Sequence, residues 1–285
     1  MIADVSHWHP VIDWTKAKQN SAFLIAKATQ GTKYVDPTLK AFIKGCEANE
    51  IPYWVFVYLA KGNELAQAKY MVSVCSPVVG KYFMGYCLDI EEGNAAANVK
   101  SALAYIQTKS EKTMIYTGYK DYTMYKDLIA NRGSNCAWWE SRYGVNNGLI
   151  DANHKCHNGV DLFQYTSKGT CPGISGKCDL STIIGSKPEL WYTSSGTKVA
   201  SGSPYKEPTS KVSFGDKGDS VKWVQWCLWR FGLLLNSKGV LSEANIDGIF
   251  GEQTKSQVMI AQKRLGLVQD GIVGPATRAA FKKLM

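Results

Sequence analysis

The sequence lacks several features that would assign the protein to a common class. No apolar run approaches the roughly 18 residues of a membrane-spanning helix, so we expect no membrane span. The segment Met1–Asp4 has neither the basic patch nor the apolar stretch of a secretion signal, and we therefore expect synthesis in the cytoplasm without a signal peptide. No Lys/Arg-rich block or nucleic-acid recognition motif occurs, which argues against a nucleic-acid partner.

Cysteine is present, but its spacing disfavours the usual cysteine-based sites. The eight cysteines include no C-x-x-C pair, so a zinc ribbon or a thioredoxin-type centre is not expected. In a chain without a signal, cysteines are predicted to be small buried hydrophobic residues. Cys171 and Cys178 bracket a Pro-Gly loop and could form a disulfide outside the cell, although we favour two free thiols.

Composition and charge indicate a folded protein with an anionic partner. Hydrophobic residues make up 45% of the 285-residue chain and charged residues 20%, which is enough apolar surface for a sizeable core. The net charge of +9 is densest in residues 211–285, which carry 11 basic and 6 acidic side chains. A polyanionic bacterial wall would suit this charge.

The first two-thirds of the chain alternates short β-branched and aromatic runs with helical stretches, the pattern of parallel strands joined by crossover helices. The candidate strands are Ile2–Val5, Ala22–Ala28, Tyr53–Tyr58, Phe83–Ile90, Thr113–Tyr116, Ala137–Ser141, Val160–Tyr165 and, more weakly, Asp179–Ile183. The candidate helices are Pro37–Asn49, Glu64–Ser73 and Ala95–Lys109, with Asn94 as the cap of the last, whereas Gly144–Gly159 is predicted to be a loop. Because eight strands can close a barrel, the predicted fold class is α/β, an irregular TIM-like (β/α) barrel.

The composition changes to Ser, Thr, Gly, Pro and Lys between residues 193 and 211, which predicts a flexible linker. Beyond it, helical spacing predicts a small all-α domain with helices at Asp219–Phe231, Thr254–Leu265 and Pro275–Leu284. A motif occurs twice there, as Asp247-Gly248-Ile249-Phe250-Gly251-x-x-Thr254 and as Asp270-Gly271-Ile272-Val273-Gly274-x-x-Thr277. The predicted organisation is a first domain over 1–192, a linker over 193–211 and a second domain over 212–285.

The sharpest chemical feature is Asp89-Ile90-Glu91 at the end of an apolar strand. Residues i and i+2 of a strand point the same way, so the two acids share a face with Cα atoms about 6.5–7 Å apart. In a closed barrel this face is the inner one, at the rim where active sites lie. Two carboxylates there would repel each other's charge and keep one of the two protonated, as a glycosidase general acid requires. Taken alone, the motif more often means acids that are solvated where a chain leaves a strand.

Further acids and aromatic residues lie near other predicted strand ends. Asp4 ends the first strand and Asp179 lies at the last one, so both could join the same rim, although an ordinary loop aspartate remains an alternative for Asp179. The aromatic residues near the predicted strand ends that could stack on a sugar ring are Trp8, Tyr58, Tyr116, Trp138, Trp139, Tyr143 and Tyr165. Of these, Tyr58, Tyr116, Trp139 and Tyr165 are taken as the candidate substrate-binding residues. Aromatic side chains in a core of this size more often serve packing, and that alternative stays open for each.

Residues 1–192 resemble the glycoside hydrolase family 25 lysozymes, a muramidase family that includes Chalaropsis-type lysozymes and many phage endolysins. The matching segments are Asp4-Val5-Ser6-His7-Trp8, Ile12-Asp13-Trp14, Ile25-Ala26-Lys27-Ala28-Thr29-Gln30-Gly31, Leu88-Asp89-Ile90-Glu91, Trp139, Tyr143-Gly144, Gln164-Tyr165 and Asp179-Leu180. Residues 212–285 resemble a three-helix peptidoglycan-binding domain. The segments that carry this second resemblance are Gly215-Asp216-Lys217-Gly218-x-x-Val221 and the two copies of the repeated motif.

The resemblance implies hydrolysis of the β-1,4 bond between N-acetylmuramic acid and N-acetylglucosamine, with Glu91 as general acid. Asp89 and Asp4 would stabilise the oxocarbenium-like transition state, and Asp179 would bind substrate or tune its neighbours. Asp89 would either orient the acetamido group of the substrate as internal nucleophile or attack directly, and the sequence leaves both open. No cofactor and no metal are implied, and His7 and His9 alone are not read as a metal site.

One departure from the family pattern affects the site. Where the family usually has Tyr-His near the end of the third strand, this chain has Phe56-Val57-Tyr58, so a polar contact to the sugar is either absent or supplied by Tyr58.

The implied partner is bacterial peptidoglycan, through its glycan strand and stem peptide, and the oligomeric state is not predicted. The alternatives are a wall-binding protein without catalysis, a chitinase-like hydrolase, or a bacterial autolysin in place of a phage endolysin released through a holin-type lesion.

Overall fold

The computed structural model describes residues 1–194, 203–230, 233–234 and 245–283, which form a barrel unit and a helical unit, each with its own hydrophobic core. The strands of the barrel unit are β1 (Ile2–Val5), β2 (Phe23–Gln30), β3 (Tyr34–Val35), β4 (Tyr53–Tyr58), β5 (Phe83–Ile90), β6 (Thr113–Gly118), β7 (Cys136–Ser141), β8 (Leu162–Gly169) and β9 (Cys178–Ile183). Its helices are α1 (Trp14–Asn20), α2 (Leu39–Ala48), α3 (Glu64–Cys75), α4 (Ala96–Gln107), α5 (Tyr122–Ala130) and α6 (Glu189–Thr193), with a 3-10 turn at Tyr119–Asp121 before α5.

The strands close into a barrel in the order β1-β9-β8-β7-β6-β5-β4-β2, and β1 pairs with β2 to complete the ring. Neighbouring strands are parallel except for β9, which runs antiparallel to both β1 and β8. The short strand β3 is added to the edge of β2 as an antiparallel ribbon. The predicted irregular α/β barrel is therefore confirmed, and the reversed β9 is the source of its irregularity.

Alternation along the strands separates the two sides of the barrel wall. Leu88 and Ile90 of β5 belong to the core that the outer helices cover, whereas Asp89 between them is not part of that core. At the end of the barrel where the parallel strands begin, α6 places Tyr192 against Phe23, with ring centroids 5.2 Å apart and nearly parallel rings. The carbonyl of Tyr192 accepts a hydrogen bond from Trp54 Nε1 at 2.9 Å. This end is therefore filled by aromatic packing, which leaves the opposite end for chemistry.

Three local predictions differ from the structure. Helices α1 and α5 were not predicted, and α1 buries only Ala17, so its sequence carries no apolar periodicity. The N-cap of α4 is Ala95, and the predicted cap role of Asn94 is wrong. The buried Asn94 amide instead donates to Leu59 O and to Glu64 Oε1. These two bonds connect the segment after β5 to the segment after β4.

The helical unit contains α7 (Asp219–Arg230), α8 (Glu252–Arg264) and α9 (Pro275–Lys283). The sequence repeat corresponds to a repeated hydrogen-bond network. Gln225 Nε2 donates to Asp247 Oδ1 at 2.7 Å, and its Oε1 accepts from Gly248 N at 2.8 Å. In the second copy Gln262 makes the same two bonds to Asp270 and Gly271, at 2.7 and 2.9 Å. Each Asp-Gly turn is therefore held by one buried glutamine of the preceding helix.

The predicted linker lies only partly within the described residues, since 195–202 fall outside them. Glu207 forms ion pairs with Arg278 and Lys282, and Arg278 Nη1 donates to Ser210 O at 2.9 Å. Residues 207–210 therefore belong with the helical unit and not with a free linker, contrary to what their composition indicated.

Two smaller observations bear on the composition. Cys171 and Cys178 are buried free thiols. Across the described residues, no helix is both long and apolar enough to cross a bilayer.

Candidate active site

Four acidic residues lie at the mouth of the barrel. Asp89 is the penultimate residue of β5 and Glu91 directly follows that strand, while Asp4 is the penultimate residue of β1. Because β9 runs in the opposite direction, Asp179 reaches the same mouth from the beginning of its strand, directly opposite Asp4 in the β1–β9 pairing. The structure thus brings together the four acids that the sequence singled out.

Asp4 and Asp179 form a carboxyl pair. Asp4 is 6% exposed, and burial together with the neighbouring Asp179 charge raises its pKa well above the usual range for aspartate. Hydrogen bonding between the two carboxyls raises the pKa of Asp4 and opposes the upward shift that burial gives the pKa of Asp179. The two carboxyls therefore titrate as a pair that holds a proton more readily than two separate aspartates would.

The position of Asp4 is fixed by Gln164 of β8. The Nε2 atom of Gln164 donates to Asp4 Oδ2 at 2.9 Å. On its other side, Gln164 Oε1 accepts hydrogen bonds from the hydroxyls of Tyr116 at 2.8 Å and Tyr143 at 2.6 Å. Gln164 therefore uses its whole amide to join the acid pair to two tyrosines.

Asp89 lies deeper than Glu91, in register with Tyr58 of β4 and Tyr116 of β6. It is 7% exposed, and burial, followed by the charge of Glu91, raises its pKa well above the usual range. Its Oδ1 atom is buried without a hydrogen-bond partner. A buried polar atom of this kind is costly unless a ligand group reaches it.

Glu91 is the acid most exposed to solvent, yet it lies close enough to other protein groups for burial and their charges to change its pKa. Desolvation raises the pKa of Glu91, and the negative charge of Asp121 is the next contribution in the same direction. The hydroxyl of Tyr116 opposes both by favouring the ionised form. The result is a carboxyl that keeps its proton to a higher pH than a free glutamate while remaining accessible to a ligand.

Lys27 of β2 is a half-buried cation near the acids. Its Nζ donates to Gln30 Oε1 at 2.7 Å and lies 4.9 Å from the ring centroid of Tyr58. Burial lowers its pKa, although the charges of Asp89 and Glu91 act in the opposite direction. Lys27 therefore offsets part of the negative charge at the mouth.

The aromatic candidates occupy different places. Tyr116 and Trp139 pack edge to face with centroids 4.5 Å apart, and Trp139 Nε1 donates to Ser181 Oγ at 3.0 Å. Both are almost fully buried and form the wall beneath the acids. Tyr58 is half-buried at the mouth, where its hydroxyl donates to Glu92.

Tyr165, the remaining aromatic candidate, is not brought to the acids. It follows Gln164 in β8, so the two side chains point to opposite faces of the strand. Tyr165 packs against the outer core and against Phe163, and the centroids of the Tyr165 and Phe163 rings are 6.1 Å apart.

Sequence reasoning assigned no role at this site to Gln164 or Asp121, and it identified Tyr143 only as one of the aromatic residues near predicted strand ends. Gln164 had a readable signal, because a polar residue in an apolar strand must find partners on the inner face. Asp121 had no such signal, since it lies in a turn whose course no periodicity predicts.

His9, which the sequence analysis did not interpret as a metal ligand, donates from Nε2 to Lys177 O at 2.9 Å. Among the described residues, no group of three or more His, Cys, Asp or Glu side chains could hold a metal ion.

The barrel and its acid cluster define a class of protein, the barrel hydrolases that act through carboxyl groups. The sequence matches the Glycosyl hydrolases family 25 over residues 3–174 and a putative peptidoglycan binding domain over residues 217–281. Because the first match covers more than half of the chain, the protein belongs to glycosyl hydrolase family 25.

Individual relatives agree with this assignment. The chain is 25% identical to an autolytic lysozyme of Clostridium acetobutylicum over 279 residues, which cover 96% of this chain and 76% of the relative. It is 27% identical to the N,O-diacetylmuramidase of Chalaropsis sp over 183 residues, covering 60% of this chain and 81% of the relative. Among solved structures, the catalytic domain of endolysin ply40 from bacteriophage P40 of Listeria monocytogenes matches with a TM-score of 0.57 and 25% identity. That match covers 64% of this chain and 92% of the other.

Proposed function

We propose that this protein is a lysozyme that hydrolyses the β-1,4 bond between N-acetylmuramic acid and N-acetylglucosamine in bacterial peptidoglycan. The observation that carries the proposal is the convergence of Asp4, Asp89, Glu91 and Asp179 at one mouth of the barrel. A protein that only bound the wall would have no need of several mutually repelling, partly buried carboxyls. The peptidoglycan-binding type of the second domain favours this substrate over chitin.

Glu91 is the general acid in this proposal. It is the exposed member of the cluster and its pKa is raised, so a proton is available to the leaving oxygen of the glycosidic bond. After the sugar has departed, the same carboxylate would accept a proton from the attacking water.

Asp89 has the geometry to orient the substrate. Its buried Oδ1 has no partner within the protein, and an acetamido N–H of the sugar would satisfy that atom. This supports the substrate-assisted route, in which the acetamido oxygen attacks the anomeric carbon, over direct attack by Asp89. The carboxyl pair of Asp4 and Asp179 would then stabilise, with the negative charge that it retains, the positive charge that develops on the sugar.

Substrate binding in this proposal falls to residues at the mouth and its wall. Asp179 and Tyr58 are half-buried there and offer polar contacts, and Tyr58 fills the position where the family usually has a Tyr-His pair. Tyr116 and Trp139 shape the wall below them. Tyr165 has no such role, because it packs on the outer face of its strand.

We also propose that the helical unit targets the enzyme to the wall by binding the glycan strand and its stem peptide. A phage endolysin and a bacterial autolysin are equally compatible with the relatives, one of each kind being similar to this chain. In both cases the enzyme, made in the cytoplasm, would act on the wall after release. Expression inside a bacterium should then be harmless until the membrane is permeabilised.

The test is digestion of purified walls followed by identification of the new reducing ends. A muramidase releases fragments with N-acetylmuramic acid at the reducing end, whereas a glucosaminidase leaves N-acetylglucosamine there and a binding protein releases nothing. Glu91→Gln should lower the rate by about 10²–10⁴-fold, because it removes the transferable proton at constant size. Glu111→Gln is the matched control, since Glu111 is exposed and lies before β6, at the end of the barrel away from the acids. Equal rates for Glu91→Gln and the unaltered enzyme would overturn the proposal.

A further inference from the structure

A fifth carboxylate, that of Asp121, faces the mouth from the turn that follows β6. The β5–β6 pairing sets Ile90 opposite Thr117, so the next residues, Glu91 and Gly118, come level at the rim. The Asp121 Oδ2 atom lies 2.7 Å from the point where a Cβ atom on Gly118 would be. The carboxylate of Asp121 is therefore folded back onto the residue beside Glu91.

The Asp121 carboxylate is held by a local hydrogen bond. Asp121 is the last residue of the 3-10 turn that runs directly into α5, so the helical segment begins at Tyr119 and Gly118 is its N-cap. The carboxylate accepts a hydrogen bond from the Gly118 backbone N–H, the return bond of a capping box. Burial raises the pKa of Asp121, while this bond and the charge of Lys120 oppose the shift. The bond therefore keeps the carboxylate at the residue beside Glu91.

The turn that carries Asp121 is itself fixed by stacking. The ring of Tyr119 lies against His157, with centroids 4.1 Å apart and planes 18° apart, and the guanidinium of Arg142 is 3.7 Å from the same ring. His157 Nδ1 is bonded to the fully buried Glu140 carboxylate at 2.8 Å. These contacts attach the turn to β7 and to the loop after it, so the position of Asp121 is well determined.

We propose that Asp121 is a positioning residue for the reaction, whose negative charge keeps the Glu91 carboxyl protonated and ready to donate. The proposal rests on the role of Glu91 as general acid. Other groups that act on Glu91 are Asp89, Asp179 and Glu92, which repel its charge, and Tyr116 and Lys27, which favour it. Of the like charges, Asp121 contributes most to the raised pKa of Glu91.

The test compares Asp121→Asn with Asp127→Asn in the full-length protein. Asp127 lies on α5 and is exposed on the outer side of the barrel, so the control makes the same charge change away from the mouth. Removing a like charge lets Glu91 ionise more easily, so the alkaline limb of the kcat/KM profile on a soluble glycan oligomer should shift to lower pH. We expect a shift of about 0.5–1.5 pH units for Asp121→Asn and none for Asp127→Asn. Below the limb, both variants should keep rates within about twofold of the unaltered enzyme.

A second variant moves the charge without removing it. Gly118→Ala places a methyl group where it displaces the Asp121 carboxylate, and the alkaline limb should shift in the same direction by less. Titration of the Glu91 carboxyl by carbon NMR measures the shift in the pKa of Glu91 directly, without relying on turnover. An unchanged Glu91 titration and an unchanged limb in Asp121→Asn would overturn the proposal, as would a uniform loss of rate at every pH. Inactivity of the unaltered enzyme on the oligomer would instead count against the lysozyme assignment.

Discussion

Gln164 and Asp4 lie 160 positions apart in the sequence and 2.9 Å apart in the structure, joined by a hydrogen bond from the glutamine amide to the carboxyl group. Gln164 is also the acceptor for the hydroxyls of Tyr116 and Tyr143. One amide of β8 therefore joins an acid of β1 to a tyrosine of β6 and to a tyrosine that follows β7. The arrangement makes Gln164 the organising side chain of the mouth.

Replacing Gln164 with leucine should therefore damage catalysis more than folding. Leucine keeps the approximate size but leaves Asp4 and two tyrosine hydroxyls without their partner, and a misplacement of about 1 Å can cost on the order of 10²-fold in rate. We expect kcat on a soluble oligomer to fall by roughly that factor. Tyr165→Phe, on the neighbouring residue of the same strand, is the control and should retain full activity. A comparable loss in Tyr165→Phe would restore that tyrosine to the site.

The raised pKa of Asp4 predicts how stability depends on pH. Because its pKa is higher in the folded state than the usual ~3.9, the unfolded chain ionises first as pH rises, and the free energy of unfolding falls until Asp4 also ionises in the folded state. Asp4→Asn stays neutral and can still donate to Asp179. The variant should be more stable than the unaltered protein at pH 7, by on the order of 1 kcal/mol for each unit of pKa shift removed.

Chemical denaturation near pH 3.5 and at pH 7 measures this difference. The gain in Asp4→Asn should be present at pH 7 and nearly absent at the lower pH. Asp13→Asn serves as the contrasting control, because the pKa of Asp13 is lowered by its bonds to Lys16 and its replacement should bring no gain. A stability increment for Asp4→Asn that is equal at both pH values would contradict a raised pKa of Asp4 in the folded state.

The two units should be separable in function. A chain cut after Ser194 keeps Tyr192 and the contact of Ser194 with Lys112, so the barrel should remain intact. On soluble oligomers its kcat/KM should equal that of the full chain. On intact walls it should be slower, since a tethered binding unit raises the local concentration of enzyme to about the millimolar range. Equal rates on intact walls would remove the targeting role from the helical unit.

The repeated glutamines predict a defect confined to the second unit. Gln262→Ala leaves the buried Gly271 amide without its partner, at a cost of about 1–3 kcal/mol, and also removes the bond to the exposed Asp270 carboxylate. Wall binding should weaken and the helical unit should melt at a lower temperature, while hydrolysis of soluble oligomers is unchanged. Gln269→Ala, on an exposed residue of the same segment, should alter neither property.

The positions of the acids at the mouth were predictable from sequence, because simple rules of strand geometry determine them. The i and i+2 spacing of Asp89 and Glu91 sets both on one face, and strand closure brings Asp4 and Asp179 to the same rim. The outcome for Tyr165 shows the limit of reading aromatic residues near strand ends without assigning the face. Its neighbour Gln164 points inward, and that one-residue difference decides which of them reaches the acids.

Elements without periodicity were not predictable. Helix α1 is short and buries a single alanine, and α5 begins with aromatic residues whose spacing follows the stack around His157. Asn94 fits the residue preference of a helix cap, but the tertiary contacts of its amide prevail over that local preference. The position of Asp121 depends on the course of a turn, which only the folded chain determines.

The reversal of β9 has a consequence for how the enzyme can be attached to other molecules. After Asp179 at the mouth, the antiparallel strand carries the chain down the barrel wall to α6, where Tyr192 packs on Phe23 and Ser194 accepts a bond from Lys112. The chain thus leaves the barrel about one strand length, or ~20 Å, from Glu91. A surface, bead or partner protein fused after Ser194 would therefore hold the barrel by its closed end, with the acids facing away from the anchor and open to a long polymer.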